Sequence, residues 1–167
     1  PSGDTLVIQA GTLIKFLGNY TFTANGPVFA EGSEENHIVF TSGKPTVLEG
    51  DWKRIVLNNA PGSVFRYCDF SLAENGIYLT ESDSTEISHC TFERHLTSAY
   101  AAYDEGNGSN QNLIINYNEV GSGFSRGFSF NSAHNSQFIG NDIEIVDWGI
   151  YCYDCDSTDF NYNEIYP

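Results

Sequence analysis

The chain is poor in the residues that mark several familiar protein classes. It has no methionine, two tryptophans, five prolines and only seven lysines and arginines in 167 residues. No apolar run approaches the roughly 20 residues that cross a bilayer, so membrane insertion is not expected. Scarce base against 22 acids leaves a net charge of −15. Such a field repels nucleic acid and anionic membranes, and polyanionic glycans as well unless cations intervene. The four cysteines, Cys68, Cys90, Cys152 and Cys155, are compatible with either redox compartment and are disulfide candidates. Low lysine with abundant Tyr, Asn, Ser, Thr and Gly points to a secreted or cell-surface protein. A chain that opens on Pro1 is expected to be a processed product or a piece of something longer.

What is present is a repeat. A six-residue signature occurs five times: Phe65-x-Tyr67-Cys68-x-Phe70, Ile87-x-His89-Cys90-x-Phe92, Ile115-x-Tyr117-Asn118-x-Val120, Phe138-x-Gly140-Asn141-x-Ile143 and Phe160-x-Tyr162-Asn163-x-Ile165. The intervals are 22, 28, 23 and 22 residues. A period near 22 with β-type composition is the mark of a solenoid whose turns stack on one another. The expected fold is all-β, a right-handed parallel β-helix of about six turns, in one domain over 1–167. Within it, 1–54 reads as irregular amino-terminal turns and 55–167 as regular turns with one loop excursion at 104–110.

A second column keeps step with the first: Ile55-x-Leu57, Ile77-x-Leu79, Ala99-x-Ala101, Phe128-x-Phe130 and Ile150-x-Cys152. Alternate residues of a strand share a face, so each pair is expected inside and Val56, Tyr78, Tyr100, Ser129 and Tyr151 outside. Gly76, Ser98, Gly127 and Gly149 precede these strands, where a sharp turn is expected. The Cys68, Cys90, Asn118, Asn141, Asn163 column is placed at the tight bend. There, asparagine tolerates left-handed backbone angles and its amide bonds to the next copy.

These repeats resemble the right-handed parallel β-helix of the pectate-lyase-like superfamily. Thr5-Leu6-Val7-Ile8, Gly11-Thr12, Ile14-x-Phe16, Ile38-Val39-Phe40-Thr41-Ser42 and Trp52-x-x-Ile55 are similar to the opening of many secreted bacterial β-helix domains. The resemblance implies a fold and not one activity, because the superfamily holds lyases, hydrolases, adhesins and inert spacers. Its hydrolases carry Asn-Thr-Asp, Asp-Asp and Gly-His-Gly motifs, and none occurs here. Its lyases use Arg or Lys with calcium. The corresponding residues would be Arg94, Arg126 and Lys53/Arg54, with His95 and Asp147 as a loose constellation.

Two features remain as candidate sites. The outward tyrosines Tyr78, Tyr100 and Tyr151, with Tyr153 two residues on, form a stripe suited to sugar rings or a protein partner. In the superfamily this sheet lines the glycan groove. The oxygen-rich loop with Asp104, Glu105 and Asn107 is a candidate calcium site, although no cofactor is required. The acidic group Asp154, Asp156 and Asp159 flanks the Cys152-x-x-Cys155 spacing of a knuckle or redox pair, without the further ligands zinc needs. The function expected is a secreted, non-catalytic structural or adhesive module. Its partner is a second copy stacked end to end, or an extracellular glycan or protein. The alternative is a carbohydrate-binding or carbohydrate-active β-helix.

Overall fold

The structure, a computed structural model, describes residues 4–96, 100–104, 110–121, 126–144 and 148–166. Its strands follow the chain in threes. The first two turns are β1 (Leu6–Ile8), β2 (Leu13–Phe16) and β3 (Thr21–Ala24), then β4 (Val28–Glu31), β5 (Ile38–Ser42) and β6 (Arg54–Asn58). The next two are β7 (Val64–Arg66), β8 (Cys68–Ser71) and β9 (Ile77–Thr80), then β10 (Glu86–Ser88), β11 (Thr91–Glu93) and β12 (Tyr100–Tyr103). They are followed by β13 (Ile114–Asn116), β14 (Glu119–Val120) and β15 (Arg126–Phe130), then β16 (Gln137–Ile139), β17 (Asp142–Glu144) and β18 (Trp148–Cys152). A last part-turn supplies β19 (Asp159–Asn161) and β20 (Glu164–Tyr166).

Each strand pairs in parallel with its equivalent one turn away. Sheet A runs β1-β4-β7-β10-β13-β16-β19, sheet B runs β2-β5-β8-β11-β14-β17-β20, and sheet C runs β3-β6-β9-β12-β15-β18. With strands about 4.8 Å apart, the coil is about 30 Å long. Residues 6–54, read from the sequence as irregular, make two turns of the same coil. The irregularity lies in the corners, chiefly the segment 43–50. That segment is pinned by Asp51, which accepts from Lys44 Nζ at 2.8 Å, Ser42 Oγ at 2.7 Å and the Leu48 amide at 2.9 Å.

The interior follows the period-2 rule. In sheet B, Phe40 stacks on Phe70 at 5.0 Å and Phe70 on Phe92 at 4.9 Å, and all three are buried. Such pairs contribute about 0.5–1.5 kcal/mol each beyond the area they bury. Beside them runs a polar ladder. Asn118 Nδ2 donates to Asn141 Oδ1 at 3.0 Å, and Asn141 Nδ2 to Asn163 Oδ1 at 2.8 Å. The same oxygens accept the main-chain N–H of Asn118 and Asn141. Each amide also donates back to a carbonyl: Asn118 to Ile87, Asn141 to Ile115 and Asn163 to Phe138. Cys90 and Cys68 occupy the same column as free thiols, and their Sγ atoms point at the carbonyls of Phe65 and Ala30. Cys90's side chain, with burial, pushes the Cys68 thiol far above its ordinary value.

Three expectations are corrected. The left-handed residue at the tight bend is the one before the ladder: Tyr67 (φ 50°), His89 (52°), Tyr117 (56°), Gly140 (67°) and Tyr162 (58°). The ladder asparagines point inward instead. Gly76, Gly127 and Gly149 are selected by close approach and not by a sharp turn. A Cβ on Gly76 would lie 1.9 Å from the Ala101 oxygen, and one on Gly127 would lie 2.2 Å from the Gly149 oxygen. Ala101 holds this position in the fourth turn, while Ser98 lies outside the described residues.

The register of that turn differs too. Ala102 pairs with Ile77 and Phe128, and Tyr103 with Tyr78 and Ser129. The inward residue is therefore Ala102, where Ala99 and Ala101 were expected, and Ala99 lies outside the described residues. This turn carries extra chain before its strand as well as after it. Alanines on both parities gave the alternation no contrast with which to place the strand.

Replacing Asn141 by Ala strips acceptors from two neighbouring donors and a donor from the Ile115 carbonyl. Chemical denaturation should show a loss of about 2–4 kcal/mol; a loss below ~0.5 kcal/mol would contradict the ladder's role. Burial holds the His95 imidazole down to about 4, opposed by its contact with the Phe70 carbonyl. The neutral form's contribution is complete above the unfolded value of 6.5 and is lost as pH falls toward 4, about 3 kcal/mol in all. Asp51, held at about 2 by Lys44, Ser42 and the Leu48 amide, loses its contribution lower, from its ordinary 3.8 downward. A His95→Gln variant should flatten stability between pH 6.5 and 4 while keeping the lower limb; an unchanged upper limb would exclude His95 as its source.

Candidate functional site

The outer face of sheet C carries a run of aromatic rings and guanidinium groups. Strict register stacks Tyr78 beside Tyr103, with ring centroids 5.0 Å apart. Tyr103 stacks on Tyr100 at 4.7 Å, and its hydroxyl accepts from Arg54. Tyr100 pairs in register with Arg126, and Arg126 with Trp148. Arg126 Nη1 donates to the Tyr100 hydroxyl at 2.7 Å. Its guanidinium lies 5.0 Å from the Tyr100 ring and 5.1 Å from the Trp148 ring, within cation–π range of both. Trp148 stacks on Tyr151 at 5.3 Å. Among the described residues Arg126 Nε has no hydrogen-bond partner. Trp148 and Tyr151 are exposed, whereas Tyr103 is buried beneath its neighbours. The small column Gly76, Ala101, Gly127, Gly149 lets adjacent turns approach closely beside these rings.

None of the six strands of sheet C contains an aspartate or glutamate. The strands of sheet B contain six: Asp69, Glu93, Glu119, Asp142, Glu144 and Glu164. A shallow opening of about 340 Å³ there is lined by His37, Asp69, Ser71, Thr91, Glu93 and Glu119. Stacked like charges on neighbouring strands are unfavourable. All but Asp69 in this row are exposed, so none has the dry setting that distinguishes a general acid from a base.

The family model for the right-handed β-helix region matches residues 4–143. The chain belongs to the right-handed β-helix family. Searches of curated proteins and of solved structures returned no match.

On this β-helix the residues singled out by sequence are partly reassembled. Tyr78 and Tyr151 hold the outward column, but Tyr103 takes the place between them that was expected for Tyr100. Tyr100 lies one column over, on Arg126. Tyr153 follows the end of β18 and is exposed, its amide bonded to the Phe130 carbonyl at 3.0 Å. Trp148 and Tyr103 were missed. Trp148 and Arg126 share the 22-residue period, which is the signal that pairs them.

The lyase-like constellation is brought together only in part. Arg54 and Arg126 share sheet C, bonded to the Tyr103 and Tyr100 hydroxyls. Lys53 is exposed before β6, Arg94 is exposed at the corner between sheets B and C, His95 is buried on the Phe70 carbonyl, and Asp147 lies outside the described residues. The calcium candidate changes as well. The Asp104 carboxylate is buried and accepts from Asn110 Nδ2 at 3.2 Å and from the Asn131 amide and side chain at 3.0 and 3.1 Å. It ties neighbouring turns together. Glu105 and Asn107 lie outside the described residues.

Cys152 and Cys155 are joined in a disulfide at the end of β18, while Cys68 and Cys90 are free. Just beyond, His134 from the preceding turn joins Asp154 and Asp156, with one donor atom from each lying within 4.8 Å of the others. His134 Nδ1 already accepts the Asp156 amide at 3.2 Å. That bond leaves the proton on Nε2 in the neutral ring, so the imidazole serves first as an amide acceptor.

Proposed function

We propose that this β-helix is a non-catalytic extracellular recognition module of the pectate-lyase-like kind. In this reading it is secreted, structural or adhesive in role, and presents the outer face of sheet C to a glycan. The observation that carries the reading is the sorting of charge: a chain with 22 acids places none in sheet C and sets Arg54 and Arg126 among stacked rings there. Aromatic faces stack on sugar rings, and a guanidinium with no carboxylate partner among the described residues suits an acidic substituent on the sugar. The net charge of −15 is therefore a poor guide to this face, because no strand of sheet C contains an acid. Calcium is not needed for this contact.

The test is retardation in gels containing uronate-rich or sulfated polysaccharide, with product analysis alongside. The wild type should be retarded without releasing sugar. Trp148→Ala and Arg126→Gln should each weaken retention about tenfold, which corresponds to about 1.4 kcal/mol. Retention unchanged in both variants would remove sheet C as the contact face; release of unsaturated or reducing sugar would replace recognition with catalysis.

A second reading, end-to-end association of copies, is favoured by the last part-turn. Phe160 and Ile165 continue the inward columns of sheets A and B, so a further turn, of this chain or of a second copy, stacks on them in register. Open strand edges accept further strands. Light scattering should then show concentration-dependent growth that Ile165→Asp abolishes. A monomer at all concentrations would dismiss it.

A further inference from the structure

The connection from β5 to β6 has 11 residues, 43–53, where the first turn crosses from sheet B to sheet C in four and the third in five. The extra chain is held firmly. Asp51, only 4% exposed, accepts from Lys44, Ser42 and the Leu48 amide, and its own amide donates to the Leu72 carbonyl at 2.9 Å. Gly50, at φ 79°, lies under Leu96 of the fourth turn, whose side chain would meet a Cβ there at 3.0 Å. The loop therefore folds across the third turn and onto the fourth.

Its tip is left outside. Val47 and Leu48 are 39% and 65% exposed, and Leu96 beside the loop is 37% exposed. One exposed aliphatic residue is ordinary; three on one rigid corner form a patch. Ordering the loop costs conformational entropy that its apolar tip does not recover within the chain. A tip ordered in advance loses little more on docking, which favours association.

The charges beside the tip define what fits. Glu49 follows it and Lys53 closes the loop; both are exposed, and neither forms an ion pair among the described residues. An apolar centre flanked by one acid and one base is complementary to itself under a two-fold rotation, which sets each Glu49 against the other copy's Lys53. The wider charge distribution selects the direction. Residues 1–66 hold five bases and six acids, whereas residues 67–167 hold two bases and sixteen acids. Parallel coils would lay one acidic stretch beside the other; antiparallel coils joined at this loop send the two to opposite ends.

We propose that the 43–53 loop is a docking surface for a second copy of this chain, held antiparallel about a two-fold axis at Leu48. The contact uses neither sheet C nor the last part-turn, and it rests on neither reading given for them. Three aliphatic side chains from each copy are few against the roughly 800 Å² per partner of a stable interface, so the dimer is reversible and concentration-dependent.

Sedimentation velocity across a concentration series tests it, with the melting temperature of each variant as a check on folding. The wild type should pass from monomer to dimer as concentration rises, and should stop at the dimer. Leu48→Asp should weaken association about tenfold or more without lowering the melting temperature, because the side chain is exposed. Glu49→Lys should weaken it as well, and the double variant Glu49→Lys with Lys53→Glu should restore it. Leu48→Cys should give a covalent dimer under mild oxidation. Ile165→Asp and Trp148→Ala should leave the dimer unchanged, which separates this contact from the coil end and from sheet C. A monomer at every concentration, or a dimer that persists in Leu48→Asp, would overturn the proposal. So would failure of the double variant to recover association, which would remove the two-fold pairing.

Discussion

The parallel, in-register stacking of one turn on the next governs everything else in this molecule. A strand step of about 4.8 Å brings each side chain beside its counterpart a turn away, so a choice made once is repeated as a column. Apolar columns become ring stacks such as Phe40, Phe70 and Phe92. Polar columns inside must bond to themselves, and asparagine does so because its amide both donates and accepts along the axis. Cys68 and Cys90 fill the earlier turns of that column, where each thiol meets a carbonyl. The buried amides of the ladder thereby satisfy one another, and the same bonds hold neighbouring turns in one register.

Register also sorts the surface. Outward columns differ from sheet to sheet, and the chain uses that freedom to separate charge from rings. Sheet B gathers six carboxylates in its later strands; sheet C has none and carries Arg54, Arg126, Trp148 and the tyrosines. An acidic molecule thus keeps the strands of one sheet free of acid.

The coil was legible in the sequence because its inward pairs and its signature recur at nearly constant intervals. That regularity survives in Phe65, Ile87, Ile115, Phe138 and Phe160, which the structure sets on successive strands of sheet A. The fourth turn was misread where the signal is weakest: alanines on both parities around residue 100 left the strand free to slide. The surface was only half visible. Tyr78 and Tyr151 were found by alternation. Trp148 lies before a glycine, at a strand start where alternation breaks down, and Arg126 pairs with it only once register is known. His134 and Asp156 are far apart in sequence and adjacent in space for the same reason. Columns built from unlike residues leave no repeating letter to find.

The register of the fourth turn sets Tyr103 beside Tyr78 and brings Tyr100 onto Arg126. Disulfide trapping tests it directly. Cysteines at 78 and 103, placed by Tyr78→Cys and Tyr103→Cys, should cross-link readily under mild oxidation, because register neighbours lie within the Cα separation a disulfide spans. The pair Tyr78→Cys with Tyr100→Cys should not. Cross-linking of 78 to 100 in place of 103 would contradict the stacking on which the sheet C face depends.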